Sequence, residues 1–231
     1  MRTTSSSSIL FNVIPAVAER RARARHCSSI EFELNSIAVA FAFAFRRPFE
    51  NSMTPEKCSL ELERMARSSA IVRFMIEKLG DAGCAVDRRF FRIEHCANAV
   101  VGGFRPPHGV VLCHNHINDA TTMENALAHE LIHAYDHCRA GGKFNWLDVK
   151  QHACSEVRAA NLSGDCHWMN EFMRGRVFMG IKKHHQECVR RRAELSVAMN
   201  PKCRDAAHAK EVVGEVFEQC FRDTAPYDDI P

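Results

Sequence analysis

The cysteines limit the folds open to this chain more than any other feature. Ten of the eleven follow residue 52, as Cys58, Cys84, Cys96, Cys113, Cys138, Cys154, Cys166, Cys188, Cys203 and Cys220, and neither C-x-x-C nor C-x-x-x-C occurs. Thiols that hold a metal usually come in close pairs. An even number of widely spaced cysteines therefore favours disulfides made in an oxidising compartment. The competing reading is that several simply fill core positions as small hydrophobes. At 231 residues, 46% hydrophobic and 26% charged, the chain can bury one soluble globular domain and still carry a tail. A net charge of +3 is too mild to suggest nucleic acid as a partner, and Arg190-Arg191-Arg192 reads as a solvated helix face.

Residues 1–52 differ from the rest. They hold the serine run 5–8, arginines 20, 21, 23 and 25, the lone Cys27, and no lysine. Such a composition suits either a mitochondrial targeting segment or a disordered extension, and Glu19, Glu31 and Glu33 count against the former. The longest apolar run, Ile37 to Phe45, is about half the roughly 18 residues that span a bilayer. A peripheral membrane contact stays open. The folded domain is expected over residues 53–231.

Thr54-Pro55-Glu56 has the form of a helix start, and Met65, Val72, Met75, Ile76 and Leu79 keep a helical period up to Gly80. Three short segments rich in β-formers follow, Phe90–Ile93, Ala99–Phe104 and Gly109–Cys113, punctuated by Gly102-Gly103 and Pro106-Pro107. Thr121 and Glu124 have capping-box spacing, opening a helix expected to end near Gly141-Gly142. Asp148 is positioned to cap another helix that Gly164 stops, and Asn200-Pro201 starts a last segment. Helix, small sheet, then helices describe one α+β domain.

The chemistry sits in His129-Glu130-Leu131-Ile132-His133. Residues four apart lie one turn apart on one helix face, so both imidazoles can reach one Zn2+. Glu130 is turned about 100° away, which directs its carboxylate to a water beside the metal rather than to the metal itself. It is then the group to take a proton as water attacks a peptide carbonyl. The bland reading is a surface helix that happens to carry two histidines. Zinc enzymes commonly use a third protein ligand. Glu156, on the next expected helix, is the candidate, with His152 one turn earlier as its rival. A plain salt bridge from Glu156 to Arg158 or Arg190 is the alternative. Asp136 follows His133 on the same face and could orient an imidazole through its second nitrogen. His137 reads as a bystander, and His114-Asn115-His116 and His184-His185 as polar turn residues and a helix face. No phosphate loop and no G-x-S-x-G are present.

Around that motif, Ala128 to Asp136 with Arg139, and downstream Ala153-Cys154-Ser155-Glu156-Val157-Arg158-Ala159 and Leu162-Ser163-Gly164-Asp165-Cys166, the chain resembles a known family. This is the mitochondrial inner-membrane zinc metalloprotease family that matures an ATP synthase subunit precursor and assists membrane-sector assembly. The likeness runs from about Cys58 to Cys220. It implies a zincin-like fold, a small sheet packed on the H-E-x-x-H helix with a helical C-terminal part. It also implies one catalytic Zn2+, a peripheral position on the intermembrane-space side, and import coupled to disulfide formation. His129, Glu130 and His133 match the family's metal and catalytic positions, and Glu156 its second signature. Two other roles compete: a disulfide-braced assembly factor whose proteolysis is dispensable, and a secreted or nuclear metallopeptidase of similar fold.

Overall fold

The computed structural model describes residues 52–167, 170 and 181–231. The serine and arginine runs, Cys27 and the apolar stretch 37–45 lie outside them.

Helix α1 (Pro55–Ser68) starts as its sequence dictates: the Thr54 hydroxyl accepts the Lys57 amide, Pro55 is the first helical residue and Glu56 lies in the first turn. The apolar period up to Leu79 is not one helix, however. Ser69 is extended, at φ −72° and ψ 123°, ending α1 and capping α2 (Ala70–Asp81), its hydroxyl accepting the Val72 amide. A serine hydroxyl can replace a helical hydrogen bond, so the chain bends there without losing its buried face.

Strands β1 (Phe91–Glu94), β2 (Gly102–Arg105) and β3 (Gly109–Cys113) form a mixed sheet in the order β1-β3-β2. β1 pairs parallel to β3, with Phe91 opposite Val110, and β2 pairs antiparallel to it, with Phe104 opposite Val110. Every residue of central β3 is buried, as expected of a strand covered on both faces. Gly109 has a φ of +99°, and a Cβ there would lie 2.1 Å from the Phe90 carbonyl oxygen, so only glycine fits.

Helix α3 (Ala120–Arg139) crosses the sheet. It is capped by Asp119, whose carboxylate accepts the Thr122 amide at 2.7 Å, and not by the expected Thr121–Glu124 box. Gly141 and Gly142, both at positive φ, end it where the sequence predicts. Asp148 caps α4 (Val149–Leu162), accepting the Lys150 and Gln151 amides. Helices α5 (Ile181–Val197) and α6 (Ala206–Arg222) complete the described chain. The last helix starts at Asp205, whose carboxylate accepts the His208 amide, and not at Asn200-Pro201.

Two cores result. Met65, Val72, Met75, Leu112, Leu127 and Leu131 belong to one, between α1, α2, the sheet and α3. Val157, Val189, Ala193, Val197, Val213 and Phe217 belong to the other, between α4, α5 and α6. Eight of the ten downstream cysteines pair: Cys84–Cys138 and Cys96–Cys113 in the first half, Cys154–Cys220 and Cys166–Cys188 in the second. Cys58 and Cys203 remain thiols. The bridges close spans of 17 to 66 residues, each worth roughly 3–4 kcal/mol in lost denatured-state entropy.

Candidate metal centre

Helices α3 and α4 pack along each other, and their contact buries His129, Glu130, His133 and Glu156, none more than 2% exposed. The histidine rings are 4.7 Å apart, as the four-residue spacing requires. Glu156 reaches across from α4: one carboxylate oxygen is 3.5 Å from His129 Nε2, the other 3.6 Å from His133 Nε2. Among the described residues, these three form the one group of side chains able to hold a metal, their ligand atoms all within 4.8 Å of one another.

The donors fit zinc. His133 Nε2 is buried and has no hydrogen-bond partner among the described residues. A tetrahedral ion with bonds of about 2.0–2.1 Å sets its ligand atoms roughly 3.4 Å apart, close to the separations found. Two imidazoles and one carboxylate are a recurrent catalytic set that leaves a fourth position open. With the fold and this triad, the chain has the site of a zinc metallopeptidase.

Burial sets the electrostatics. It lowers the pKa of His129 and lowers that of His133 well below its usual range. Burial, and then the charge of Glu156, pushes the Glu130 carboxyl well above the usual carboxylate range. Burial acts on Glu156 in the same sense, but His133, His129 and His152 outweigh it and hold that carboxyl well below its ordinary range. Both Glu130 oxygens are buried, and a backbone hydrogen bond from Phe104 offsets only part of the rise in the Glu130 pKa. Its stem lies under β2, where a Cβ on Gly102 would come within 3.7 Å of Glu130 Cγ and 2.8 Å of the Val111 carbonyl oxygen. Gly102 thus lets the sheet approach the helix at this side chain, a role its sequence does not announce.

Around the triad the structure separates the sequence candidates. Asp136 does not touch an imidazole directly. Ser155 stands between them, donating to Asp136 Oδ2 at 2.8 Å and lying 2.7 Å from His133 Nδ1. A hydroxyl has one hydrogen, so Ser155 accepts from His133 Nδ1–H and leaves Nε2 bare. Asp136 is gripped by Arg158 at 2.9 Å and Arg139 at 3.1 Å. Arg158, fully buried, also pairs with Asp223 at 2.6 Å and donates to the Asp223 and Ala225 carbonyls. Neither arginine expected for Glu156 pairs with it, since Arg190 lies 3.7 Å from Glu218. His152 is not in the ligand group; it sits 3.2 Å from Glu156 Oε1. Trp146, whose ring centre is 5.5 Å from that of His133, walls the site and carried no sequence signal. His114 is 2.9 Å from the Met53 carbonyl, and Asn115 bonds to the backbone of Cys96, so this turn ties loops together. His185 contacts Asn161 and the Cys166 carbonyl.

The peptidase M76 family model matches residues 56–228. The chain belongs to the peptidase M76 family. Among its relatives, the mitochondrial inner membrane protease ATP23 of Coccidioides immitis is 43% identical over 176 residues, covering 76% of this chain and 73% of the relative. The Aspergillus niger protein of the same name is 40% identical over 190 residues, 81% and 79% of the two chains. That of Yarrowia lipolytica is 41% identical over 173 residues, 75% and 68%. No solved structure matches the chain. Among the described residues no helix is long and apolar enough to cross a membrane.

Proposed function

We propose that this M76 peptidase matures the precursor of an ATP synthase membrane-sector subunit and assists assembly of that sector. We place it at the intermembrane-space face of the mitochondrial inner membrane, held there peripherally. Its relatives' names support the compartment and the activity, and four disulfides suit an oxidising space. The folded enzyme is assigned to residues 53–231 and the preceding stretch to targeting or to a disordered extension. The observation that carries the reading is the buried His129, His133 and Glu156 group with Glu130 one residue along α3.

In this reading His129, His133 and Glu156 hold the ion, Glu130 handles the proton, and Asp136 steadies His133 through Ser155. Bound zinc supplies Lewis acidity toward water and toward a carbonyl oxygen. Glu130 accepts a proton at a carboxylate oxygen as water adds to the scissile carbonyl carbon. It then returns that proton to the amide nitrogen, which departs as an amine. Its raised basicity suits the first step, and the positive charge of an ion nearby moderates the shift. The Asp136–Ser155–His133 chain keeps one nitrogen of His133 aimed at the ion throughout.

Glu130→Gln is the decisive variant. It should lower peptide cleavage by about 10²- to 10⁴-fold while zinc content stays at the wild-type level. Cleavage at the wild-type rate would overturn the mechanism. If the variant still supports ATP synthase assembly in cells, the disulfide-braced scaffold acts there independently of proteolysis.

A further inference from the structure

The side chains behind Glu156 form a hydrogen-bonded line that leads out of the site into the turn after α5. Asn200, 2% exposed, has both hydrogens of its amide committed: Nδ2 donates to the Trp146 carbonyl at 2.9 Å and meets His152 Nδ1 at 2.9 Å. Its Oδ1 accepts the Lys202 amide at 2.9 Å. Turning the amide over would set oxygen against the Trp146 oxygen and NH2 against the Lys202 N–H, so the orientation is fixed. His152 Nδ1 must then accept, which places the ring proton on Nε2. That nitrogen lies 3.2 Å from Glu156 Oε1, and the N–H donates to it. His152 and Glu156 are each 1% exposed, so these bonds are shielded from bulk solvent.

We infer that Asn200 is a positioning residue for the metal centre. Through the tautomer it imposes on His152, it holds one oxygen of Glu156 and leaves the other, Oε2, turned toward the ion. The inference rests on Glu156 serving as a ligand. It also explains why His152, on the same helix face, is no rival to Glu156: its lone pair is taken by Asn200 and its proton faces the carboxylate. Partners one bond removed from a metal commonly affect affinity by 10- to 100-fold.

The test is zinc affinity of the full-length, disulfide-bonded protein, measured by chelator competition, with the visible absorption of the Co2+-substituted protein as a second readout. Asn200→Asp keeps the shape and the Lys202 contact but presents oxygen to His152, and His152→Leu removes donor and acceptor. Each should weaken zinc by about 10- to 100-fold and alter the Co2+ spectrum. His152→Gln, which can accept from Asn200 and donate to Glu156, should recover most of the loss. Wild-type affinity in the folded Asn200→Asp and His152→Leu proteins would overturn the inference. So would a His152→Gln protein as weak as His152→Leu, which would make the ring a packing element only. A two-bond 1H–15N correlation on the wild type needs no variant: a proton on His152 Nε2 agrees, and one on Nδ1 contradicts. Glu156→Ala keeps the outcomes apart, because unchanged zinc binding there would remove the ligand itself rather than its support.

Discussion

Helices α3 and α4 face each other across the metal centre and are held in different ways. α3 turns Met123, Leu127, Leu131 and Ile132, all 0% exposed, into the core beneath the sheet. α4 is almost as deeply buried, yet His152, Ser155, Glu156, Arg158 and Asn161 are polar and Arg158 is 0% exposed. Its places are fixed by partners on other elements: Asp136, Asn200, Asp223 and the Phe221 carbonyl. Apolar burial is non-directional, and loss of one side chain is felt locally. A buried polar line works only when every member is satisfied. The helix that carries the histidines therefore rests largely on forgiving packing, with His133 tied in through Ser155, and the opposing carboxylate rests on exacting hydrogen bonds.

The difference can be broken most severely at Arg158. Arg158→Leu strands Asp136 with one guanidinium and should cost about 3–5 kcal/mol in urea unfolding. Adding Asp136→Leu should recover part of that loss, and a double variant weaker than the single would contradict the pairing. Leu127→Ala, the corresponding cut in α3, should cost about 3 kcal/mol by the same measurement with zinc affinity unchanged. Loss of zinc in a folded Leu127→Ala protein would erase the contrast. Ser155→Ala strips His133 Nδ1 of its partner and Asp136 Oδ2 of one of its two, for a cost of about 1–3 kcal/mol. Ser155→Thr keeps the hydroxyl and should restore it.

The smallest effect comes from Asp223, which shares both arginines with Asp136 but is one-third exposed. Burial raises the Asp136 carboxyl above its usual range against the pull of Arg158 and Arg139. At Asp223 burial also raises, but Arg139 and Arg158 outweigh it and the pKa is lowered. A depressed acid adds stability above its unfolded pKa, about 3.9, and loses it as pH falls through the lower folded value. Asp223→Asn should thus cost about 1 kcal/mol at pH 7, given solvent screening, and nothing near pH 2. A deficit that persists at pH 2 would place the effect elsewhere.

The same contrast decides what can be read in the sequence. His129, Glu130 and His133 are legible because helix geometry alone brings them together, and Gly141-Gly142 and Asp148 mark helix ends by local rules. Glu156 and His152 stayed rivals because both lie on one face of α4, and what separates them is Asn200, a residue from the far side of α5 with no periodic signal. Ser155 is hidden likewise, since its partners Asp136 and His133 sit on another helix. The break at Ser69 is hidden inside an unbroken apolar period, and at the start of α3 Asp119 outcompetes Thr121, two residues on. Disulfides could be anticipated from spacing, but their pairing depends on how α2 meets α3, how α4 meets α5 and α6, and how the loop after β1 returns to β3.

X-ray absorption at the zinc edge of the purified, metal-loaded protein tests the centre most directly. Two imidazole nitrogens and a carboxylate oxygen at about 2.0–2.2 Å should give light-atom scattering alone. Sulfur scattering at about 2.3 Å would put a cysteine on the ion, and an ion bound by neither imidazole would remove the site from α3.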